Sequence, residues 1–201
     1  MKEDEKVLVV PKNIIFKEGS WHGVKIENLD YYLDLIRSNY QFKKRGEVEK
    51  NPSFQQIIPY ILFSFKDKFF LYKYIKGAGE KRLINNYQLG VGGHINLIDA
   101  KEKEGILERA AMREWNEEIN YKGDILSKKL IGILNDDTRP VEKVHIGLIY
   151  HFIGDSPEIS IKETNNMKGE LVDLKELGRR VENTDGWAPI VYKEYLLKFL
   201  K

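Results

Sequence analysis

The sequence contains no cysteine. Disulfide bonds, zinc sites built from thiolates, iron–sulfur clusters and cysteine nucleophiles are therefore excluded. Any metal ion has to be held by carboxylate, imidazole, carbonyl or water ligands. Oxygen-rich ligation of this kind favours Mg²⁺ or Mn²⁺, and these are the cofactors that we expect.

The chain also lacks a strong excess of either charge and a long apolar run. Its 33 basic and 31 acidic residues give a net charge of +2, which is no strong signal for nucleic-acid binding. No apolar run approaches the ~20 residues that a membrane span needs. The N-terminal sequence MKEDEKVLVV does not resemble a signal peptide. We therefore expect a cytoplasmic protein that does not interact with membranes.

Length and composition fit one globular domain with an extension. With 201 residues, of which 42% are hydrophobic, the chain can bury a substantial core. We predict an N-terminal extension over residues 1–50 that packs on a domain spanning residues 51–201. Three roles are open for the extension: shaping a pocket, forming a homodimer contact, or completing the sheet. Its basic triplet, Lys43 to Arg45, could contact phosphates, but we predict that it lies in a solvated loop.

From residue 55 onwards the sequence is typical of β-strands with a few helices. Residues 57–65 and 69–75 are rich in β-branched and aromatic residues and are separated by a turn, which predicts a hairpin. Residues 87–95 predict a strand interrupted by glycines, and residues 104–119 give the clearest helical pattern. Mixed strands with interspersed helices indicate an α+β fold, an α/β/α sandwich with a mixed β-sheet.

The predicted helix places three carboxylates beside its apolar face. At about 100° per residue, its core-facing stripe consists of Leu107, Ala111, Trp115 and Ile119. The glutamates that adjoin this stripe are Glu114, Glu117 and Glu118. Like charges four positions apart cost roughly 0.2–0.5 kcal/mol per pair on an exposed helix, and a cation among them removes this cost. The pattern alone leaves two interpretations open: a metal site, and a solvated acidic surface at the helix end.

A longer motif surrounds this helix in the stretch GGHINLIDAKEKEGILERAAMREWNEEINY. Its core, REWNEE at residues 113–118, matches the R-E-U-x-E-E core of the Nudix box, G-x5-E-x7-R-E-U-x-E-E-x-G-U, and Gly93 matches the opening glycine. The chain therefore resembles the Nudix, or MutT-like, hydrolase family from about residue 55 onwards. The segments QIIPY, GVGGHIN, NDDTRPVEKVHIGL and GELVDL are similar to a MutT-related subgroup of predicted phosphoesterases.

Two departures from the box affect the predicted site. Nineteen residues separate Gly93 from Arg113, where the box has thirteen. Gly105 stands where the box has a glutamate that supports the arginine and the metal ligands. Either Glu104 or Glu108 takes over this role, or the support is lost.

The resemblance implies a metal-dependent pyrophosphatase with a catalytic helix. Its substrate would be a nucleoside diphosphate linked to another moiety, and water would split the phosphoanhydride. By position in the motif, the residues that bind the metal ion and act in catalysis are Glu114, Glu117 and Glu118. The resemblance further implies that Arg113 is part of the catalytic group and orients these glutamates by ion pairing.

Several residues near the helix are candidates for substrate binding. Gly92 and Gly93 allow a ligand to approach the backbone closely. His94 is a candidate for contact with phosphate or metal, the alternative being an ordinary histidine at a strand end. Arg82 and Arg139 are candidates for pairing with a substrate phosphate.

The general base and a base-stacking residue are less well defined. One of the three box glutamates can act as the base, and weaker candidates beyond the box are Glu142, Glu163 and Glu170. The aromatic residues that could stack on a nucleobase are Tyr60, Tyr87 and Trp187, although aromatic residues in strands more often belong to the core.

Two other classes of protein are alternatives to the hydrolase interpretation. A Nudix-like domain can bind a nucleotide as a sensor without turnover. The retained helix carboxylates argue against a sensor, whereas the missing glutamate and the longer loop favour it. Isopentenyl-diphosphate isomerase shares the fold, but that resemblance implies a catalytic cysteine, which this chain lacks.

Overall fold

A computed structural model describes residues 2–75, 86–102, 104–139 and 142–199. Arg82 lies outside the described residues. The strands are β1 (Lys6–Pro11), β2 (Gly23–Lys25), β3 (Gln41–Lys44), β4 (Phe54–Phe65), β5 (Lys68–Tyr74), β6 (Tyr87–Gln88), β7 (Gly90–Gly92), β8 (Ile119–Tyr121), β9 (Ile125–Asn135), β10 (His145–Gly154), β11 (Ile159–Ile161) and β12 (Met167–Asp173).

The α-helices are α1 (Lys12–Ile15), α2 (Leu29–Asn39), α3 (Arg45–Val48), α4 (Ile106–Glu118), α5 (Leu174–Val181), α6 (Trp187–Val191) and α7 (Leu197–Phe199). A π-helical turn (Tyr192–Leu196) joins the last two, and short 3₁₀ turns are formed by Lys2–Asp4, Leu97–Lys101 and Glu142–Val144. None of the helices in the described part of the chain is long and apolar enough to cross a membrane.

Ten of these strands form one mixed sheet that is organised around β4. Along one edge, β4 pairs in parallel with β10. Along its other edge, it pairs antiparallel with β1, β7 and β5 in turn. The main path of the sheet is β12-β5-β4-β10-β9-β2, with β3 beside β1 and β6 beside β5. Strands β8 and β11 form a separate two-stranded ribbon.

Helices cover both faces of the sheet, and the alternation of side chains in the central strands explains why. In β10, Leu148 and Phe152 belong to a core cluster that also takes in residues of α2 and α4. Ile149 belongs to a second cluster, on the side of α5 and α6. Successive strand residues point to opposite faces, so both faces of the central sheet are apolar and need a cover. The predicted α/β/α sandwich with a mixed sheet is confirmed.

The main predicted elements from residue 55 onwards are confirmed. The predicted hairpin is formed by β4 and β5, with Ser64 opposite Phe69 and Phe65 opposite Lys68. Helix α4 begins two residues later than predicted. The strand interrupted by glycines is divided into β6 and β7.

The prediction that the basic triplet, Lys43 to Arg45, lies in a solvated loop is wrong. Lys43 and Lys44 belong to β3, which pairs antiparallel with β1 at the sheet edge, and Arg45 begins α3. Lysine is common on exposed edge strands because its charge discourages pairing with another chain. Its stem can also cover apolar surface, and Lys43 Nζ lies 4.6 Å from the ring centre of Phe54. An edge strand of this kind therefore has the composition of a loop.

Residues 1–50 contribute β1, β2 and β3 to the same sheet that contains β4. Strand β1 is almost entirely buried, and its residues pack against both β4 and the segment before α4. The N-terminal residues thus complete the sheet. The domain boundary after residue 50 stays a prediction.

Candidate active site

Helix α4 is fixed in orientation by its apolar face. Leu107, Ala111 and Trp115 are buried, as the helical spacing predicted. Gly105 precedes the helix with φ of +70°, in the left-handed region that favours glycine. A glutamate would be strained at this position. Counted forward from Gly93, the acidic position of the box falls on Asp99, so the insertion lies between that position and Arg113.

The three predicted glutamates lie at the C-terminal end of α4 and line one cleft. Glu114 is buried, whereas the side chain of Glu117 is largely exposed. Burial, reinforced by the neighbouring carboxylates of Glu114, Glu117 and Glu163, raises the pKa of Glu118 to about 7. Burial also raises the pKa of Glu114, although hydrogen bonding to Arg113 opposes this shift. A positive charge added beside Glu118 would stabilise the ionised carboxylates.

Arg113 is the cation of this cluster, and each of its five N–H groups has a partner. Nε and Nη2 donate to the two carboxylate oxygens of Asp99, each at 2.8 Å. Nη2 also donates to the backbone oxygen of His94 at 2.9 Å. Nη1 donates to Glu114 at 2.7 Å and to Glu117 at 3.1 Å. Arg113 therefore holds the glutamates in place, as predicted, and has no N–H left for a substrate phosphate.

Asp99 is the member of the cluster that the sequence analysis missed, although it stands six residues after Gly93, at the glutamate position of G-x5-E counted from the opening glycine. It lies in the 3₁₀ turn Leu97–Lys101, and only 3% of its side chain is exposed. Its hydrogen bonds raise the pKa of Arg113 above its already high usual value. Counting back from Arg113 gives Gly105 instead, because the six extra residues lie between Asp99 and Arg113. Residues 96–99, N-L-I-D, also form a capping box.

The two glutamates considered as substitutes for the missing box residue do not reach Arg113. Glu108 pairs with Arg37 at the surface at 3.2 Å. Glu104 contributes its backbone oxygen to a hydrogen bond from Arg109. The support that the box assigns to its first glutamate thus comes from Asp99, in the segment before the helix, and not from Glu104 or Glu108.

Gly92 and Gly93 lie where two different groups approach the backbone. A Cβ atom at Gly92 would lie 1.8 Å from the backbone oxygen of Pro59, because β7 pairs with β4 at this point. A Cβ atom at Gly93 would lie 2.6 Å from a carboxylate oxygen of Glu114. The sheet thus requires the first glycine, whereas the second leaves room for a carboxylate of the site.

His94, a predicted substrate contact, lines the same cleft. Its Nε2 atom lies 2.9 Å from Oε1 of Gln56, and its ring centre lies 5.6 Å from that of His145. Its backbone oxygen accepts from Arg113. The side chain is therefore held by the protein at the cleft wall, and its contact with a substrate stays a prediction.

The cleft beside α4 has a volume of about 850 Å³ and combines residues from distant parts of the chain. Residues 1–50 contribute Glu5 and Arg45 to its walls. Arg139 also lines it, donating a hydrogen bond to Glu142 at 2.6 Å and pairing with Asp185 at 3.3 Å. The N-terminal residues thus shape the pocket as well as complete the sheet.

Some of the remaining candidates for the general base and for base stacking line the cleft, and others lie outside it. Among the weaker candidates for the general base, Glu142 lines the cleft, whereas Glu170 pairs with Arg180 at 2.8 Å. The negative charge of Glu163 helps to raise the pKa of Glu118. Of the aromatic candidates, Tyr60 and Trp187 line the cleft, and Tyr87 lies beneath Lys73 and Arg180.

Comparison with known proteins gives one relative in sequence and several in structure. No family model matches the chain. Protein YmaB of Bacillus subtilis is 34% identical over 183 residues, which are 88% of this chain and 89% of that protein. The crystal structure of Tm1382, described as a candidate Nudix hydrolase, has 27% identity and a TM-score of 0.84, and the match covers 97% of this chain and 100% of that one.

A more distant structure shares the fold alone. It is a bifunctional NMN adenylyltransferase/ADP ribose pyrophosphatase from Francisella tularensis, complexed with AMP and a Mn ion. Its identity is 16% and its TM-score 0.51, and the match covers 72% of this chain and 41% of that chain.

The fold and the sequence similarity together define the class: the chain belongs to the Nudix hydrolase family. The chain is accordingly an enzyme of the hydrolase class. The family predicted from the box is therefore confirmed, in spite of Gly105 and the longer loop. The structural match with Tm1382 extends over nearly the whole chain, so most of residues 1–50 belong to the shared architecture.

Proposed function

We propose that this enzyme uses a divalent metal ion to hydrolyse a phosphoanhydride bond in a nucleoside diphosphate joined to another moiety. One observation carries the proposal. Three glutamates open on the cleft, and the basic residue beside them on α4, Arg113, already has a protein partner for each N–H group. A diphosphate is anionic, so these carboxylates repel it unless a cation lies between them.

The donor set fits a hard divalent ion. Glu114, Glu117 and Glu118 would hold the ion through carboxylate oxygens, which Mg²⁺ and Mn²⁺ prefer. Two of them have raised pKa values, so the protein alone does not fully offset the cost of burying their charges. When bound, such an ion neutralises phosphate oxygens and makes water more acidic. The Francisella tularensis protein with the same fold was crystallised with a Mn ion.

The chain's own residues would bind and orient the reacting groups. Arg113 fixes Glu114 and Glu117 by hydrogen bonds, so these oxygens are already positioned before a substrate arrives. Gly93 leaves the space that the Glu114 carboxylate occupies. The proton of the attacking water would pass to one of the three glutamates or to Glu142, which lines the same cleft.

The walls of the cleft support a substrate of nucleotide size. A volume of about 850 Å³ lies in the range of pockets that bind small molecules and cofactors. Tyr60 and Trp187 line it in an edge-to-face arrangement, with ring centres 5.4 Å apart, and offer an apolar surface for a base or a sugar. Arg139 and His94 would contact phosphate at the same cleft.

Turnover with and without metal tests the proposed function. The full chain would be incubated with Mg²⁺ or Mn²⁺ and ADP-ribose, NAD(H), dinucleoside polyphosphates, sugar nucleotides or noncanonical triphosphates. We expect at least one compound to release a nucleoside monophosphate, detected by chromatography, and EDTA to abolish the release. Binding without release of any monophosphate would instead identify a sensor module.

The two glycines before the loop give a matched pair of variants. Gly93→Ala is expected to displace the Glu114 carboxylate and to weaken Mn²⁺ binding about tenfold or more, because shifts in the groups around metal ligands have effects of this size. Thermal stability should fall less than in Gly92→Ala, since the Glu114 side chain can shift where the Pro59 backbone cannot. Gly92→Ala, which meets the Pro59 backbone, should lose more than about 3 kcal/mol of unfolding free energy. Wild-type metal affinity in Gly93→Ala would contradict this assignment.

A further inference from the structure

The N-terminal segment forms part of the cleft wall through two oppositely charged residues. Glu5 and Arg45 both line the cleft, and the Arg45 backbone N–H donates to the backbone oxygen of Glu5 at 2.8 Å. The adjoining residues pair in the sheet, with Lys6 of β1 opposite Lys44 of β3. The backbone therefore holds the two side chains next to each other. They are 33% and 26% exposed, so a ligand in the cleft can reach both.

Each of these two side chains is anchored by a different neighbour and keeps hydrogen-bonding capacity. Glu5 Oε1 accepts from Asn96 Nδ2 at 3.1 Å, and Arg45 Nε donates to Glu49 Oε1 at 2.7 Å. The distance from Arg45 Nη1 to Glu5 Oε2 is 3.8 Å, which is too long for a hydrogen bond. Among the described residues, Nη1 and Nη2 of Arg45 have no hydrogen-bond partner. An anchored donor and an anchored acceptor thus lie side by side in the cleft wall.

We propose that Glu5 and Arg45 form a subsite for the hydroxyl groups of a sugar or another polyol, which is the second moiety of the substrate; this inference rests on the proposed function. A hydroxyl group donates one hydrogen bond and accepts others. One hydroxyl oxygen can accept from Arg45 Nη1 and donate to Glu5 Oε2, because two hydrogen bonds of normal length span a gap of 3.8 Å. Both anchors are in place before the substrate arrives, which lowers the entropy cost of binding.

The charges of the subsite select against other second moieties. Arg45 has two carboxylates beside it, those of Glu5 and Glu49, so the three side chains together carry a net negative charge. A further phosphate would be repelled by Glu5. An apolar group would displace water from the charged atoms without replacing its hydrogen bonds, which is costly. A neutral group that both donates and accepts hydrogen bonds satisfies Glu5 and Arg45 together.

The subsite adjoins the residues that hold the glutamates of α4. Asn96, the partner of Glu5, lies two residues after His94, whose backbone oxygen accepts from Arg113. All of these residues line the same cleft. A diphosphate at the glutamates can therefore place its second moiety on Glu5 and Arg45, and the aromatic wall of the cleft remains for the base.

The test compares substrates that differ in the second moiety, using the full chain with Mn²⁺. The adenosine compounds are ADP-ribose, the β-methyl ester of ADP, and ATP; the uridine compounds are UDP-glucose, the β-methyl ester of UDP, and UTP. We expect kcat/KM of the wild type to be at least about tenfold higher for a sugar nucleotide than for the methyl ester or the triphosphate of the same nucleoside.

Arg45→Met is expected to reduce the preference for the sugar nucleotide over the methyl ester about 10- to 100-fold, because the loss of a charged hydrogen bond has an effect of this size. Lys44→Met is the matched control. It makes a similar change at the neighbouring residue, whose ammonium group lies 3.9 Å from Asp4, and Lys44 does not line the cleft. The control should keep the preference of the wild type.

Glu5→Gln separates binding from a purely structural role, because its two expected effects have opposite signs. Glutamine keeps an oxygen that can accept from Asn96 but has no charge. We expect kcat/KM to fall for the sugar nucleotide and to rise for the triphosphate, since the repulsion of a further phosphate is removed. A variant with only a structural defect would lose activity on both compounds.

Three results would overturn the inference. The first is an equal loss on the sugar nucleotide and the methyl ester in Arg45→Met, or in Glu5→Gln if Arg45→Met does not fold. The second is a parallel fall for sugar nucleotide and triphosphate in Glu5→Gln. The third is a wild type that hydrolyses other diphosphate compounds but neither sugar nucleotide. Absence of turnover with every compound would instead overturn the proposed function.

Discussion

Replacing Glu118 with glutamine is expected to lower metal-dependent hydrolysis about a thousandfold, because a metal ligand supports several kcal/mol of transition-state stabilisation. Glu108→Gln is the matched control: it makes the same change on the same helix, but Glu108 pairs with Arg37 outside the cluster. Steady-state release of nucleoside monophosphate measures the effect in both variants. Near-normal turnover in both Glu117→Gln and Glu118→Gln would remove the basis for the metal assignment.

The free energy of unfolding, measured without metal, tests whether the Glu118→Gln protein remains folded. The same measurement checks the pKa of Glu118. In the folded chain this pKa is raised to about 7 from the ordinary value of 4.5. The folded state therefore binds the proton more tightly than the unfolded state, and the free energy of unfolding falls as pH rises from about 4.5 to about 7. The loss is on the order of 2 to 3 kcal/mol.

Glutamine cannot ionise, so Glu118→Gln should lack this decrease and be more stable than the wild type at pH 7.5. Urea unfolding in EDTA at several pH values provides the measurement. For the wild type, Mn²⁺ affinity should rise with pH through about 7, as the carboxylate loses its proton. A variant that is less stable than the wild type at pH 7.5 would show that Glu118 has a different environment from the one described.

Replacing Arg113 with methionine is expected to destabilise the chain by about 3 to 5 kcal/mol, because it leaves buried charges without a partner. Asp99 is 3% exposed and Glu114 7%, so solvent cannot replace the guanidinium at either carboxylate. Methionine keeps most of the side-chain length, so the loss reports on charge and hydrogen bonding. Urea unfolding in EDTA at pH 7.5 measures the difference.

Arg37→Met is the control for the Arg113 variant. Arg37 forms an ion pair with Glu108 at 3.2 Å, but both side chains are about half exposed. Exposed ion pairs contribute about 0 to 1 kcal/mol, so this variant should stay close to the wild type. If Arg113→Met also stayed within about 1 kcal/mol, the bonds from Arg113 to Asp99 and Glu114 would not be the stabilising contacts that the structure describes.

The local part of the site could be predicted from the sequence because it lies on one helix. Helical periodicity alone placed Leu107, Ala111 and Trp115 in the core, and the directions of the glutamates follow from that stripe. The hairpin of β4 and β5 could be predicted for a similar reason, since its two strands are adjacent in the chain. In both cases the information is contained within about 20 residues.

The remaining features depend on contacts between distant residues. The spacing G-x5-E from Gly93 points to Asp99, but the insertion before Arg113 hides its pairing with the arginine when the box is counted back from the helix. The edge strand β3 resembles a loop because its stability comes from pairing with β1, more than thirty residues earlier in the chain. The contribution of Glu5 and Arg45 to the cleft is of the same kind. Such contacts become visible only when the three-dimensional structure brings the segments together.

The walls of the cleft come from distant parts of the chain, so the order of synthesis determines when the active site can form. A growing chain that has reached residue 121 already contains all three glutamates, Arg113 and Asp99. It still lacks β10, the parallel neighbour of β4, and Trp187, which packs against Tyr60 in the wall of the cleft. Parallel pairing joins strands that are far apart in sequence, so it forms late and slowly. Nascent chains should therefore remain inactive until residue 187 has left the ribosome, and a chain cut on either side of the catalytic helix would lose part of the pocket.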